Sequence, residues 1–177
     1  MKRLPLSLTL LTLVLLTAAC ATTATGPSAV ATLAPTGTNT ARGSVNFDQL
    51  GDGSVRVTVD LTGVPAGVHG FHVHEFGNCG DNGNAAGGHF NPLSTPHGAP
   101  DAPTKHAGDF GNVTADANGN VRTTFTTRSI TLGDGATSAV GHAVILHANP
   151  DDLATQPTGN AGGRIACGVV EARPMQP

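Results

Sequence analysis

A chain of 177 residues is about one domain long and can bury a single core of ordinary size, so nothing calls for a second domain. With no Trp, no Tyr and six Phe, the core is left to Val, Leu, Ile and Ala; stacking on nucleic-acid bases is disfavoured, and a formal charge of −3 argues against a phosphate-tracking surface. Frequent Gly, Val and Thr, a low charged fraction and turn residues at roughly eight-to-twelve-residue intervals point away from helices and towards an all-β sandwich or barrel.

Lys2 and Arg3 precede an apolar run from Leu4 to Leu16, which gives way to Ala18 and Ala19 before Cys20. That order is a secretory signal, and the run is too short to span a bilayer comfortably, so residues 1–19 are expected to be a signal peptide. Leu16-Thr17-Ala18-Ala19-Cys20 resembles the lipobox of bacterial lipoproteins, in which the Cys becomes the acylated first residue of the mature chain. Thr17 stands where Leu is usual, and Ala19-Cys20-Ala21 also satisfies an ordinary small-x-small cleavage pattern. The expectation is a cell-envelope protein, in the periplasm or on the outer face of a membrane, lipid-anchored at Cys20; the alternative is a secreted or soluble periplasmic protein. Three Cys is an odd count, and setting Cys20 aside leaves Cys79 and Cys167 as a disulfide pair in an oxidising compartment. That bridge closes a loop of roughly ninety residues, a chain-entropy contribution on the order of 4–5 kcal/mol.

Residues 20–27 read as the anchor and a flexible tether, because Ala21 to Pro27 lack a periodic apolar pattern, and the domain as residues 28–177. Val30 to Leu33 is a weak first strand and Gly43 to Phe47 a second. Val55-Arg56-Val57-Thr58-Val59-Asp60-Leu61 alternates strictly, the pattern of a half-buried strand. Further strands are expected over Gly67 to Glu75, Asp109 to Ala115, Asn120 to Thr127, Gly141 to Ala148 and Arg164 to Glu171, with Asn118-Gly119 as a tight hairpin turn between two of them. Eight strands result. Phe76 to Gly108 and Asn149 to Gly163 carry no strand character, and long loops in a compact domain are usually functional.

The eight His gather beside those two loops. In Gly70-Phe71-His72-Val73-His74-Glu75, strand alternation puts His72 and His74 on one face and Val73 on the other, half of a metal site on rigid backbone. His89, His97, His106 and Asp109 add three imidazoles and a carboxylate, a tetrahedral set suited to zinc. A merely solvated loop would carry more Lys and Glu than this one, where Lys105 is the only Lys. His147 closes the apolar run Ala143 to Leu146, at the rim of a buried strand.

Gly-Phe-His-Val-His-Glu (70–75), Gly-His-Phe-Asn-Pro (88–92), His-Ala-Gly-Asp-Phe-Gly-Asn (106–112) and Gly-Asn-Ala-Gly-Gly-Arg-Ile-Ala-Cys-Gly (159–168) resemble, in order, the signature segments of copper/zinc superoxide dismutases. The resemblance covers about residues 28 to 171. It implies an eight-stranded Greek-key, immunoglobulin-like β-sandwich or barrel with two functional loops. It implies one copper ion on His72, His74, His89 and His147, and one zinc ion on His89, His97, His106 and Asp109, with His89 shared. Asp151 matches a carboxylate that hydrogen-bonds ligand imidazoles of both sites, and Arg164 an arginine facing the copper channel, where a guanidinium receives a small anion. His69 and His142 are expected as packed or surface residues, and Asp152 as solvated.

The reaction implied is the conversion of two superoxide anions to dioxygen and hydrogen peroxide, with His89 and Arg164 as the catalytic residues. The partners implied are superoxide and a membrane, with no nucleic acid; a homodimer is allowed, since dimer surfaces differ within this fold. A non-enzymatic copper or zinc buffer on the same sandwich is the rival reading, against which stand the full ligand set and Arg164. The segment Asp151 to Gly163 is shorter than in better-known relatives and lacks their guiding Lys and Glu, so Arg164 is expected to carry electrostatic steering there.

Overall fold

The computed structural model describes residues 24–174; the expected signal peptide and Cys20 lie outside the described residues. Eight strands follow in chain order: β1 (Ala24–Pro35), β2 (Arg42–Leu50), β3 (Val55–Thr62), β4 (Gly67–His74), β5 (Asp109–Ala115), β6 (Val121–Thr127), β7 (Ala143–His147) and β8 (Arg164–Ala172). Their spatial order is β5-β4-β7-β8-β1-β2-β3-β6, every pair antiparallel. One curled sheet thus nearly closes on itself, and the β3–β4 and β6–β7 connections cross between its halves in Greek-key fashion. Among the described residues no helix is long and apolar enough to cross a membrane.

Alternation builds the interior. Val55, Val57, Val59 and Leu61 of β3 point inwards against Val45 and Phe47 of β2, Leu33 of β1, and Phe71, Val73, Val144 and Leu146 of β4 and β7. Phe47, Phe71, Phe90 and Phe110 also belong to this core, so aromatic rings share the filling that composition assigns to aliphatic residues. Each such side chain contributes about 1.5–3 kcal/mol on burial.

Three expectations need correction. β1 begins at Ala24, inside the segment read as a tether, because Ala24 pairs with Leu50 and the strand then shares its two edges between β2 and β8. Backbone pairing, invisible in the side-chain pattern, makes that strand. β7 is also shorter than the expected 141–148, since Gly141 and His142 form the turn that enters it. Asn118-Gly119 does sit in a turn, closed by the Asp116 N–H on the Asn120 carbonyl at 2.9 Å, but β5 and β6 are not hydrogen-bonded partners. They are the two edges of the curled sheet, and the rings of Phe110 and Phe125, 5.4 Å apart, bridge the gap between them.

The faces of β4 place the site. Phe71 and Val73 enter the barrel core, so His72 and His74 project from its outer surface, yet both are buried. Residues 75–108 cover them. That segment is not structureless: it contains a 3-10 helix, Asp81–Ala86, and its Ala86 and Cys79 pack with Ala143, Ile145 and Cys167 as a small second core outside the barrel. Farther along, it is stitched to β4 by the Phe90 N–H on the Val73 carbonyl and the Val73 N–H on the Gly108 carbonyl, at 2.9 and 3.0 Å. Gly108 is required there, because a Cβ would lie 2.1 Å from the Val73 oxygen. Cys79 and Cys167 form a disulfide, Cα atoms 5.7 Å apart, across 88 residues of sequence.

Candidate metal centre

β4 supplies His72 and His74, and β7, its neighbour, ends in His147. His89 reaches the same face through a single backbone bridge to His74. One donor nitrogen from each of the four imidazoles falls within 4.8 Å of the others, all four side chains buried. A second group, His89, His97, His106 and Asp109, meets the same description, so His89 belongs to both.

The outward nitrogens of these rings are occupied, which fixes the inward ones. His72 Nε2 donates to Asp151 Oδ2 at 2.7 Å, His74 Nδ1 to the Gly87 carbonyl at 3.0 Å, and His147 Nδ1 to the Gly162 carbonyl at 3.2 Å. His72 Nδ1 and His89 Nε2 are left buried without a hydrogen-bond partner, and the Nε2 atoms of His74 and His147 face each other at 3.2 Å. In the second group the Nδ1 atoms of His89, His97 and His106 converge on Asp109 Oδ1 at 2.7, 3.0 and 3.2 Å. Buried, unsatisfied imidazole nitrogens aimed at a common point are costly unless a cation takes their lone pairs. The residues present therefore fit two metal ions. An all-nitrogen set suits copper, and three nitrogens with a carboxylate suit zinc.

Electrostatics favour the ligating protonation states. Burial pushes the His72 and His74 imidazoles well below their usual range, with neighbouring His89 and His147 acting in the same direction, and pushes His147 down to about 4. Desolvation likewise lowers His106. For Asp109, burial opposes ionisation, but the hydrogen bond from His89 and the backbone N–H groups of His106 and Gly98 outweigh it and hold the carboxyl well below the ordinary range. Neutral imidazoles beside an ionised carboxylate are the forms that bind cations.

Asp151 ties the two groups together. While Oδ2 holds His72, Oδ1 accepts from His97 Nε2 at 3.0 Å. The carboxylate fits because residue 159 is Gly, with φ +67°; a Cβ there would lie 1.8 Å from Asp151 Oδ1. Asn112 holds the Asp151 backbone from both sides, accepting its N–H at 2.7 Å and donating to its carbonyl at 2.9 Å. Sequence reasoning missed Asn112 as a functional residue, although it ends the quoted segment His-Ala-Gly-Asp-Phe-Gly-Asn.

Arg164 stands beside His147 because the two are register partners on β8 and β7. Its guanidinium donates to the carbonyls of Gly83 and Gly87, both at 2.5 Å, and Gly87 also receives His74. Partial burial lowers its pKa from the usual arginine value. His69 lies outside both groups, buried with its ring between the carbonyls of His147 and Pro65 at 2.8 and 2.7 Å. His142 stacks on Phe90 at 3.9 Å. Asp152 is exposed and organises the turn that follows it.

A nearly closed antiparallel barrel carrying two adjoining cation sites with a shared imidazole defines a binuclear β-barrel metalloprotein. Residues 41–170 match the model of the copper/zinc superoxide dismutase family. The chain belongs to that family, whose metals are copper and zinc. Among solved structures, the crystal structure of the clock protein EA4 is similar at 42% sequence identity and a TM-score of 0.74, over 81% of this chain and 93% of that one.

Proposed function

We propose that the chain is a superoxide dismutase of the cell envelope, with copper held by His72, His74, His89 and His147 and zinc by His89, His97, His106 and Asp109. The observation that carries this reading is the two-sided placement of His89, whose Nε2 is an unsatisfied atom of one group while its Nδ1 lies 2.7 Å from the carboxylate of the other. Copper, when bound, supplies the one-electron chemistry by which two superoxide anions and two protons become dioxygen and hydrogen peroxide, beside redox-inert zinc.

The chain's own residues supply geometry, a proton and an anion site. His89, anchored on its Nδ1 side, can accept and release a proton at Nε2 without turning. Arg164, immobilised by two carbonyls and in register with His147, retains N–H donors that can receive a small anion. Asp151 keeps the tautomers of His72 and His97 in register across both groups.

The disulfide fits an oxidising compartment, and the leader-like run before Cys20 supports the reading of a mature protein anchored on a membrane of the envelope, where it removes superoxide. Metal analysis of the purified protein tests the ligand assignment: one copper and one zinc per chain are expected, and a single buried site would contradict it. Membrane fractionation of Cys20→Ser tests the anchor, release into the soluble fraction being expected; a wild type that is itself soluble contradicts it.

A further inference from the structure

His97 is held differently from its neighbours in the zinc-type group. His89 is bridged to β4 through its backbone, and His106 donates its own N–H to Asp109 Oδ2 while its carbonyl accepts the Asp109 N–H. Among the described residues, both backbone polar groups of His97 go to one side chain. The His97 N–H donates to Gln156 Oε1 at 2.9 Å, and Gln156 Nε2 donates to the His97 carbonyl at 2.9 Å. The following N–H, of Gly98, donates to Asp109 Oδ2 at 3.1 Å. The peptide leaving His97 is thus gripped by Gln156 at its oxygen and by a metal-facing carboxylate at its nitrogen.

Gln156 is presented by a turn with its own internal bonds. Asp152 Oδ1 accepts the N–H groups of Ala154 and Thr155 at 3.0 and 2.7 Å, its Oδ2 accepts the Thr155 hydroxyl at 2.6 Å, and its N–H donates to the Gly159 carbonyl at 2.8 Å. A second bond from Gln156 Nε2, to the Ala154 carbonyl at 3.2 Å, orients the amide. The segment 151–163 therefore touches His97 twice, through Asp151 on the ring and Gln156 on the backbone.

We infer that Gln156 is a positioning residue for the zinc-type group: its amide fixes the His97 peptide so that Nδ1 points at the site, and its loss weakens that group while sparing the four-imidazole group. The inference rests on the reading of His89, His97, His106 and Asp109 as zinc ligands. Residues that orient a ligand typically contribute about 10- to 100-fold to metal affinity, because an untethered ligand must be ordered when the metal binds. Gln156 is exposed on a surface turn and outside the barrel core, so truncating it opens no cavity there.

The test compares wild type and Gln156→Ala by chelator competition with zinc alone, by copper affinity, and by the visible spectrum of cobalt(II) bound at the zinc-type group, which reports ligand geometry independently of turnover. The expected result is zinc affinity lowered about 10- to 100-fold, copper affinity changed by less than about threefold, and shifted cobalt bands. Wild-type zinc affinity in Gln156→Ala overturns the inference, as does an equal loss at both groups with a lower melting temperature of the metal-free variant. Failure of the wild type itself to bind zinc with His97 as a ligand overturns the metal assignment, and the inference with it.

Discussion

Removing the disulfide by Cys79→Ala with Cys167→Ala tests how the metal-covering segment is held. The two residues are 88 apart in sequence, and the chain-entropy relation for a loop of that length gives about 4–5 kcal/mol of stabilisation through the unfolded state. Cys167 is buried against Ala86, Ala143 and Ile145, so alanine is chosen to avoid burying a hydroxyl. The second consequence is local. The Gly83 N–H donates to the Cys79 carbonyl at 3.2 Å, and the carbonyls of Gly83 and Gly87, a few residues on, hold Arg164 and His74. Loosening that segment should therefore release the guanidinium and one imidazole together. Urea unfolding of the metal-free proteins measures the first effect without metal-linked stabilisation; superoxide decay per bound copper measures the second. A stability loss below about 1 kcal/mol would refute the entropic argument. An unchanged rate per bound copper would refute the claim that the bridge holds Arg164.

Alanine at His89 should disturb both metal sites, whereas His147→Ala should spare zinc; equal zinc loss in the two variants, by metal analysis, contradicts the shared-ligand assignment. The metal-free protein should lose stability as pH falls from about 6.5 towards 4, because the unfolded chain takes up protons that buried His72, His74 and His147 refuse; His147 alone accounts for about 3 kcal/mol, and unfolding free energies flat across that window contradict the burial argument. Residues 20–177 carry seven basic and twelve acidic side chains, a formal charge of −5 before any bound metal is counted, with Arg164 as the cation in register with His147. Arg164→Ala should lower the rate about 10-fold or more at low salt and flatten its ionic-strength dependence; an unchanged slope places the guide elsewhere, with Lys105 as the next candidate.

The barrel was legible wherever burial follows the strand period. Val55 to Leu61 announces β3 because every second side chain enters the core, and the run Ala143 to Leu146 announces β7 because loops bury its second face. β1 is nearly silent: Ala29, Ala31 and Leu33 do alternate into the core, but two of the three are alanines that mark a strand poorly, and the element is defined by ladder bonds to two neighbours. The non-pairing of β5 and β6 was equally hidden, since a tight turn encodes reversal of the chain and not which edges meet. Among site residues, those marked by ligating side chains could be singled out. Gln156 and Asn112 act through amides on distant backbone, 59 and 39 residues away in sequence, and nothing local distinguishes such an amide from a solvated one.

Superoxide decay followed as copper is added to the zinc-loaded protein tests the central claim most directly. The account predicts a rate that rises linearly, breaks at one copper per chain, and is lost in His147→Ala. Copper that fills the four-imidazole group, shown by its spectrum, while superoxide decays no faster than with an equivalent of copper bound to an unrelated protein would contradict it and leave a metal-storing barrel in its place.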